Sequence, residues 1–180
     1  MSKSTVTALC LIAAGLMVNA QTDTLNSADR EFLKSAATIN MTEAHLGKMA
    51  QDQAADNAVK SFGERLVNDH TKAYDELSRV ADKSGEPIPK GIDIRQNKAI
   101  EELTHDNGAT FDRQFVHREV QDQRRAVAEF KREVHETKNA ALKAYAHQVI
   151  PTLEEHVQKA EELEKTERTA KSASARHAHS

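Results

Sequence analysis

Cysteine, tryptophan, glycine and proline are scarce in this 180-residue chain: one Cys, no Trp, 6 Gly and 3 Pro, with aromatic residues at 4%. So little turn-forming and β-favouring material argues against a sandwich or barrel. The long stretches of Ala, Glu, Lys, Gln, Leu and Arg make an all-α protein the expectation. An excess of one charge is also lacking, since 25 Lys+Arg face 28 Asp+Glu for a net charge of −3. A general nucleic-acid binder would be basic and a solvating tail acidic, so no nucleic-acid partner is expected. No glycine-rich phosphate loop and no Gly-x-Ser-x-Gly elbow occurs, and no catalytic residue is assigned.

Long apolar runs are absent beyond the first twenty residues. There, Lys3 precedes the apolar run Val6 to Val18, and Val18-Asn19-Ala20 follows. This reads as a signal peptide over residues 1–20, cleaved near Ala20. The run is too short for a permanent membrane span, and no later segment qualifies. A lipoprotein reading through Cys10 is disfavoured, because Leu9 stands where a small residue is wanted. Cleavage leaves 24 basic and 28 acidic residues, a net charge of −4, and no thiol. Disulfides, thiolate metal ligands and a Cys nucleophile are then excluded, although the compartment expected of an exported chain is oxidising.

Behind the leader, a short segment (21–28) precedes a bundle (29–166) and a tail (167–180) with no apolar periodicity, which is expected to be disordered. Asn26-Ser27-Ala28-Asp29 resembles a helix cap and opens helix 1, residues 29–51. Helix 2, residues 56–83, carries Val59, Phe62, Leu66, Ala73, Leu77 and Ala81 at spacings of three and four and stops at Ser84-Gly85. A linker with Pro87, Pro89 and Gly91 follows, with a short helical patch near residues 95–103. Helix 3 (109–137) and helix 4 (139–165) complete the set, with Pro151 predicting a kink in helix 4. Four single-striped helices can bury their stripes only against one another, which makes a four-helix bundle. Its short-long-short connections are those of ferritin-like bundles.

Each stripe contains a polar residue turned toward the core: Glu43, His70, Gln123 and His156. Helical rise places His70, Gln123 and His156 near mid-bundle, with Asn40 the helix 1 residue closest to their level. A di-iron centre would need a Glu from each of two helices and a Glu-x-x-His from each of the other two. Here Val67 and Leu153 stand three residues before the histidines, and only Glu43 remains as a stripe carboxylate. A standard di-iron centre is therefore disfavoured. Two readings stay open. In one, His70 and His156 with Glu43 hold a single divalent transition-metal ion. In the other, preferred reading, Asn40, Gln123 and the histidines form a hydrogen-bonded layer that sets helix register, and His70→Leu is tolerated. Asp69 and Asp122 lie about 100° around their helices from His70 and Gln123. They either orient a partner ring or meet water, and water is the simpler assignment. Glu102-Leu-Thr-His105 is a lone copy in the linker, and His177 and His179 belong to the tail.

An ordered series of segments carries a resemblance: Phe32 to Ala50, Val59-Lys-Ser-Phe, Leu66-Val-Asn-Asp-His70, Phe111-Asp-Arg-Gln-Phe and Pro151-Thr-Leu-Glu-Glu-His156. Over about residues 29–165 the chain resembles the exported bacterial proteins grouped as domain of unknown function 4142. The resemblance implies a ferritin-like bundle in the periplasm or peripheral to the outer membrane, and no known activity. It points to Glu43, Asp69, His70, Asp122 and His156. The family's usual Asp-His on helix 3 is Asp122-Gln123 here, one nitrogen ligand fewer. Self-association and an envelope partner both stay open. The expected function is a non-catalytic binding or envelope-stress accessory module; the alternative is metal or peroxide detoxification through His70 and His156.

Overall fold

A computed structural model describes residues 24–94 and 97–177, the last eight as backbone only. The expected leader, its cleavage site and His179 lie outside the described residues. The described chain is all-helical, with α1 (Ser27–Gln53), α2 (Asn57–Ser84), the short α3 (Lys98–Leu103), α4 (Gly108–Glu136) and α5 (Ala140–His177).

Local chemistry sets the helix ends. Asn26 accepts from the Asp29 backbone N–H while Asp29 accepts from that of Asn26, closing a reciprocal cap on α1. Asp56 caps α2 through the Ala58 N–H. Gly85, at φ 68°, ends α2 in the left-handed conformation that a side chain would oppose. The buried Asp112 carboxylate accepts from the backbone N–H groups of Ala55 and Asp56, tying the α1–α2 turn to α4.

The four long helices form two antiparallel hairpins, α1–α2 and α4–α5, and residue pairs between the hairpins fix their relative direction. Asp29 meets Glu133 and Glu43 meets Glu119, so α1 and α4 run antiparallel. Asp69 meets His156 and Glu76 meets Gln148, so α2 and α5 do the same. Hence α2 and α4 are parallel, and the connection between them must travel the length of the bundle. It does so with Ile88 against one apolar cluster and Ile92 against the other, and the Tyr74 hydroxyl donates to the Pro89 carbonyl.

Those two clusters are the core. One gathers Phe32, Leu33, Leu77, Phe130, Leu142 and Leu153; the other gathers Leu46, Phe62, Leu66, Phe111, Phe115 and Leu163. On every long helix a buried polar position separates the residues of one cluster from those of the other. Inside the first hairpin the backbones nearly touch: a Cβ on Gly47 would lie 2.5 Å from the Gly63 carbonyl oxygen, and one on Gly63 would lie 2.6 Å from that of Gly47.

One expectation is corrected. Residues 167–177, expected to be disordered, continue α5 as helix. Their Ala, Lys, Arg and Glu are good helix formers, and extending an existing helix avoids the nucleation cost even where the sequence carries no apolar stripe. Pro151, expected to kink this helix, lies within α5 on its exposed side, where the missing N–H costs the ladder one bond.

Candidate functional site

The polar positions between the two clusters meet in one layer. Asn40 and Glu43 come from α1, His70 from α2, Glu119 and Gln123 from α4, and Tyr145 and His156 from α5; none is more than 4% exposed. Because α1 runs to Gln53, Glu43 lies about 15 Å from its end and reaches the level of the histidines.

His70 is held on both ring nitrogens. Its Nδ1 is 2.9 Å from Asn40 Oδ1 and its Nε2 is 3.3 Å from Gln123 Nε2. Since an amide oxygen only accepts and an amide nitrogen only donates, the proton belongs on Nδ1. The Asn40 amide in turn donates to the Tyr145 hydroxyl at 3.1 Å. Burial, and then His156 beside it, pushes His70 down to about 3, so the ring is neutral at any physiological pH. The same burial raises the Tyr145 phenol.

His156 is held differently. Its Nε2 is 2.8 Å from Asp69 Oδ2, its ring centre is 5.3 Å from that of His70, and its buried Nδ1 has no hydrogen-bond partner in the protein. Burial lowers its pKa, and the hydrogen bond to Asp69 pulls the other way. Asp69 also accepts from Arg65, which pairs with Glu155. Water was the simpler expectation for Asp69, but it orients a partner ring, because α2 and α5 are close enough for its carboxylate to reach across the seam. Asp122 stays outside the layer, paired with Arg118 and Arg125.

Reading the stripes left Glu43 as their one carboxylate; Glu119 is a second, with zero exposure. The signal was present, since Phe111, Phe115, Glu119 and Gln123 recur every four residues on one face of α4. The two carboxyl groups hydrogen-bond to each other. Burial and then the neighbouring negative charges hold Glu43 well above the ordinary carboxyl range. Burial also raises Glu119, to about 7, against the lowering effect of its hydrogen bonds to Glu43 and Gln123. The pair therefore shares a proton at neutral pH. Gln123 Nε2 lies 3.1 Å from Glu43 Oε2 and 3.1 Å from Glu119 Oε2, while Gln123 Oε1 and Glu119 Oε1 lack partners.

Two clefts flank the layer. One of about 170 Å³ opens between α2 and α5 over Asp69, His70, Thr152 and His156. The other, about 310 Å³, opens between α1 and α4 over Glu43, Arg118 and Asp122. Among the described residues, no three His, Cys, Asp or Glu side chains are spaced to hold a metal ion. The histidines His45, His105, His117, His135 and His147 lie outside the core.

Comparison with known proteins identifies the class first by fold. A DUF305 fragment from Deinococcus radiodurans superposes with a TM-score of 0.69 at 12% identity, covering 79% of this chain and 99% of that one. A candidate secreted DUF305 protein from Streptomyces coelicolor gives 0.67 at 12% identity, covering 81% and 95%. At such identity the likeness is one of helical fold alone. The family is more specific: the profile described as "Domain of unknown function (DUF4142)" matches residues 15–163, and the chain belongs to that family. No curated protein matches the chain.

Proposed function

We propose that this chain is an exported ferritin-like bundle that acts in the bacterial periplasm, or peripherally at the outer membrane, by binding rather than by turnover, as an envelope accessory module. The observation that carries the reading is the commitment of the buried layer. His70 has both nitrogens engaged, the Gln123 amide is spent on Glu43, Glu119 and His70, and His156 is turned onto Asp69. An imidazole tied at both nitrogens has no free lone pair for general-base work, and Glu43 and Glu119 are turned to each other and to Gln123 inside the core. Export is supported by the leader-like first twenty residues, and no described helix is long and apolar enough to cross a membrane.

Fractionation of cells producing the full chain, together with elemental analysis and peroxidase and oxidase assays of the purified protein, tests the reading. The expected outcome is a shortened chain in the periplasmic or outer-membrane fraction, without turnover. One metal ion per chain, with a turnover that the His70→Ala, His156→Ala double variant abolishes, would overturn it in favour of metal-dependent detoxification.

A further inference from the structure

Bundles of this architecture place carboxylates and imidazoles at mid-height to surround cations. The residues here do not fit that use as they stand, and the misfit has a definite cause at one atom. Gln123 Nε2 is 3.1 Å from Glu43 Oε2, 3.1 Å from Glu119 Oε2 and 3.3 Å from His70 Nε2. Three acceptors from three helices thus face one point from nearly equal distances, and a neutral amide nitrogen fills it. Metal–ligand bonds of about 2.0–2.2 Å would require each acceptor to close in by about 1 Å and the amide to leave.

We infer that the Gln123 amide does a cation's work in this bundle, bridging Glu43, Glu119 and His70 into a metal-independent layer, and that this one side chain separates the protein from a metal-binding form of itself. The electrostatics are consistent. An amide brings no charge and two N–H donors, which the three acceptors share, His70 at the longest distance, whereas two ionised carboxylates with an imidazole would call for a positive ion. The deficit is met by the proton shared between Glu43 and Glu119. Arg118, whose charge acts on both groups, is turned to Asp122 and Glu102. The unpartnered Gln123 Oε1 fits the same account: the amide is oriented for its donors, at the expense of its acceptor.

The isosteric change Gln123→Glu tests the inference, because it replaces two donors by a third carboxyl and leaves the shape intact. Melting of the full chain is followed in EDTA and with one equivalent of Mn²⁺ or Zn²⁺. Wild type should melt at the same temperature in both. Gln123→Glu should melt about 5 °C lower or more in EDTA, recover with one equivalent of metal, and lose that recovery when Glu119→Gln is added. If Gln123→Glu does not fold in EDTA, folding on metal addition is the same result. Gln123→His, which supplies an imidazole instead, should bind one metal ion by calorimetry. A wild-type melting point that rises with metal and ceases to do so in Glu119→Gln would overturn the inference. So would an absence of metal response in both Gln123 variants, which would make the amide ordinary polar filling and leave the binding reading above untouched.

Discussion

Helix α1 makes two kinds of contact, and they differ in chemistry. Toward α2, its hairpin partner, it presents Gly47, whose backbone meets Gly63 so closely that neither position has room for a methyl group. Toward α4, in the other hairpin, it presents carboxyl groups to carboxyl groups, Glu43 to Glu119 and Asp29 to Glu133. The first contact is steric and indifferent to pH. The second is favoured while Glu119 and Glu133 keep their protons. The first hairpin is therefore closed at Gly47 and Gly63 by packing, and the seam between the hairpins is closed partly by protonation.

Breaking the steric side should have the largest effect. Gly63→Val puts a side chain into the Gly47 carbonyl and should cost about 3 kcal/mol or more, measured by urea unfolding, with the same loss at pH 5 and pH 8. Gln123→Leu should come next, at about 2–4 kcal/mol, because Glu43, Glu119 and His70 lose their common donor inside the core. A loss below half a kcal/mol would mean that water replaces the amide. His70→Leu should cost about 1–3 kcal/mol, since it strands the Asn40 oxygen that the ring now satisfies. Tolerance was the expectation from sequence, where the ring's two partners could not be seen.

The pH dependence sharpens the comparison with smaller effects. Glu119 and Glu133 rise from 4.5 to about 7 in the fold, so their contribution is complete below 4.5 and gone above about 7. His70 falls from 6.5 to about 3, so its contribution is complete above 6.5 and is lost as pH drops through 3. His156 shifts in the same direction as His70. Between 4.5 and 6.5 carboxyls and imidazoles oppose each other; just above 6.5 only the carboxyls still titrate. Wild-type melting temperature should therefore decline from pH 6.5 to about pH 7.5, and Glu119→Gln should flatten that decline. An unchanged slope in Glu119→Gln would remove the shared proton from the account. Glu133→Gln should flatten it less. Its raised value has burial as the first cause and Asp29 as the second, yet Asp29 is also held by the Asn26 backbone N–H and Arg132 acts against the shift.

Much of this was legible in the chain. The stripe spacings located four long helices to within a few residues, apart from the end of α5, and Asn26, Asp56 and Gly85 announced where helices begin or stop. Asn40, Glu43, His70, Gln123 and His156 stood out as polar interruptions of apolar stripes and do meet in one layer. Glu119 escaped because a glutamate beside Arg118 and Val120 looks like a solvated face unless its register with Phe111, Phe115 and Gln123 is followed. Asp69 escaped because its ring partner is 87 residues away.

The sequence by itself determined which residues are helical and which face of each helix is apolar, because helix periodicity and capping are properties of a few neighbouring residues. It also determined that His70, Gln123 and His156 would enter the core near mid-bundle. Only the tertiary structure decided what they do there. It turned His156 onto Asp69, paired two carboxyl groups that would repel if both ionised, and set one amide nitrogen among three acceptors. Those outcomes depend on distances of a few ångströms between helices and on the exclusion of water, and neither is written into any single stretch of chain.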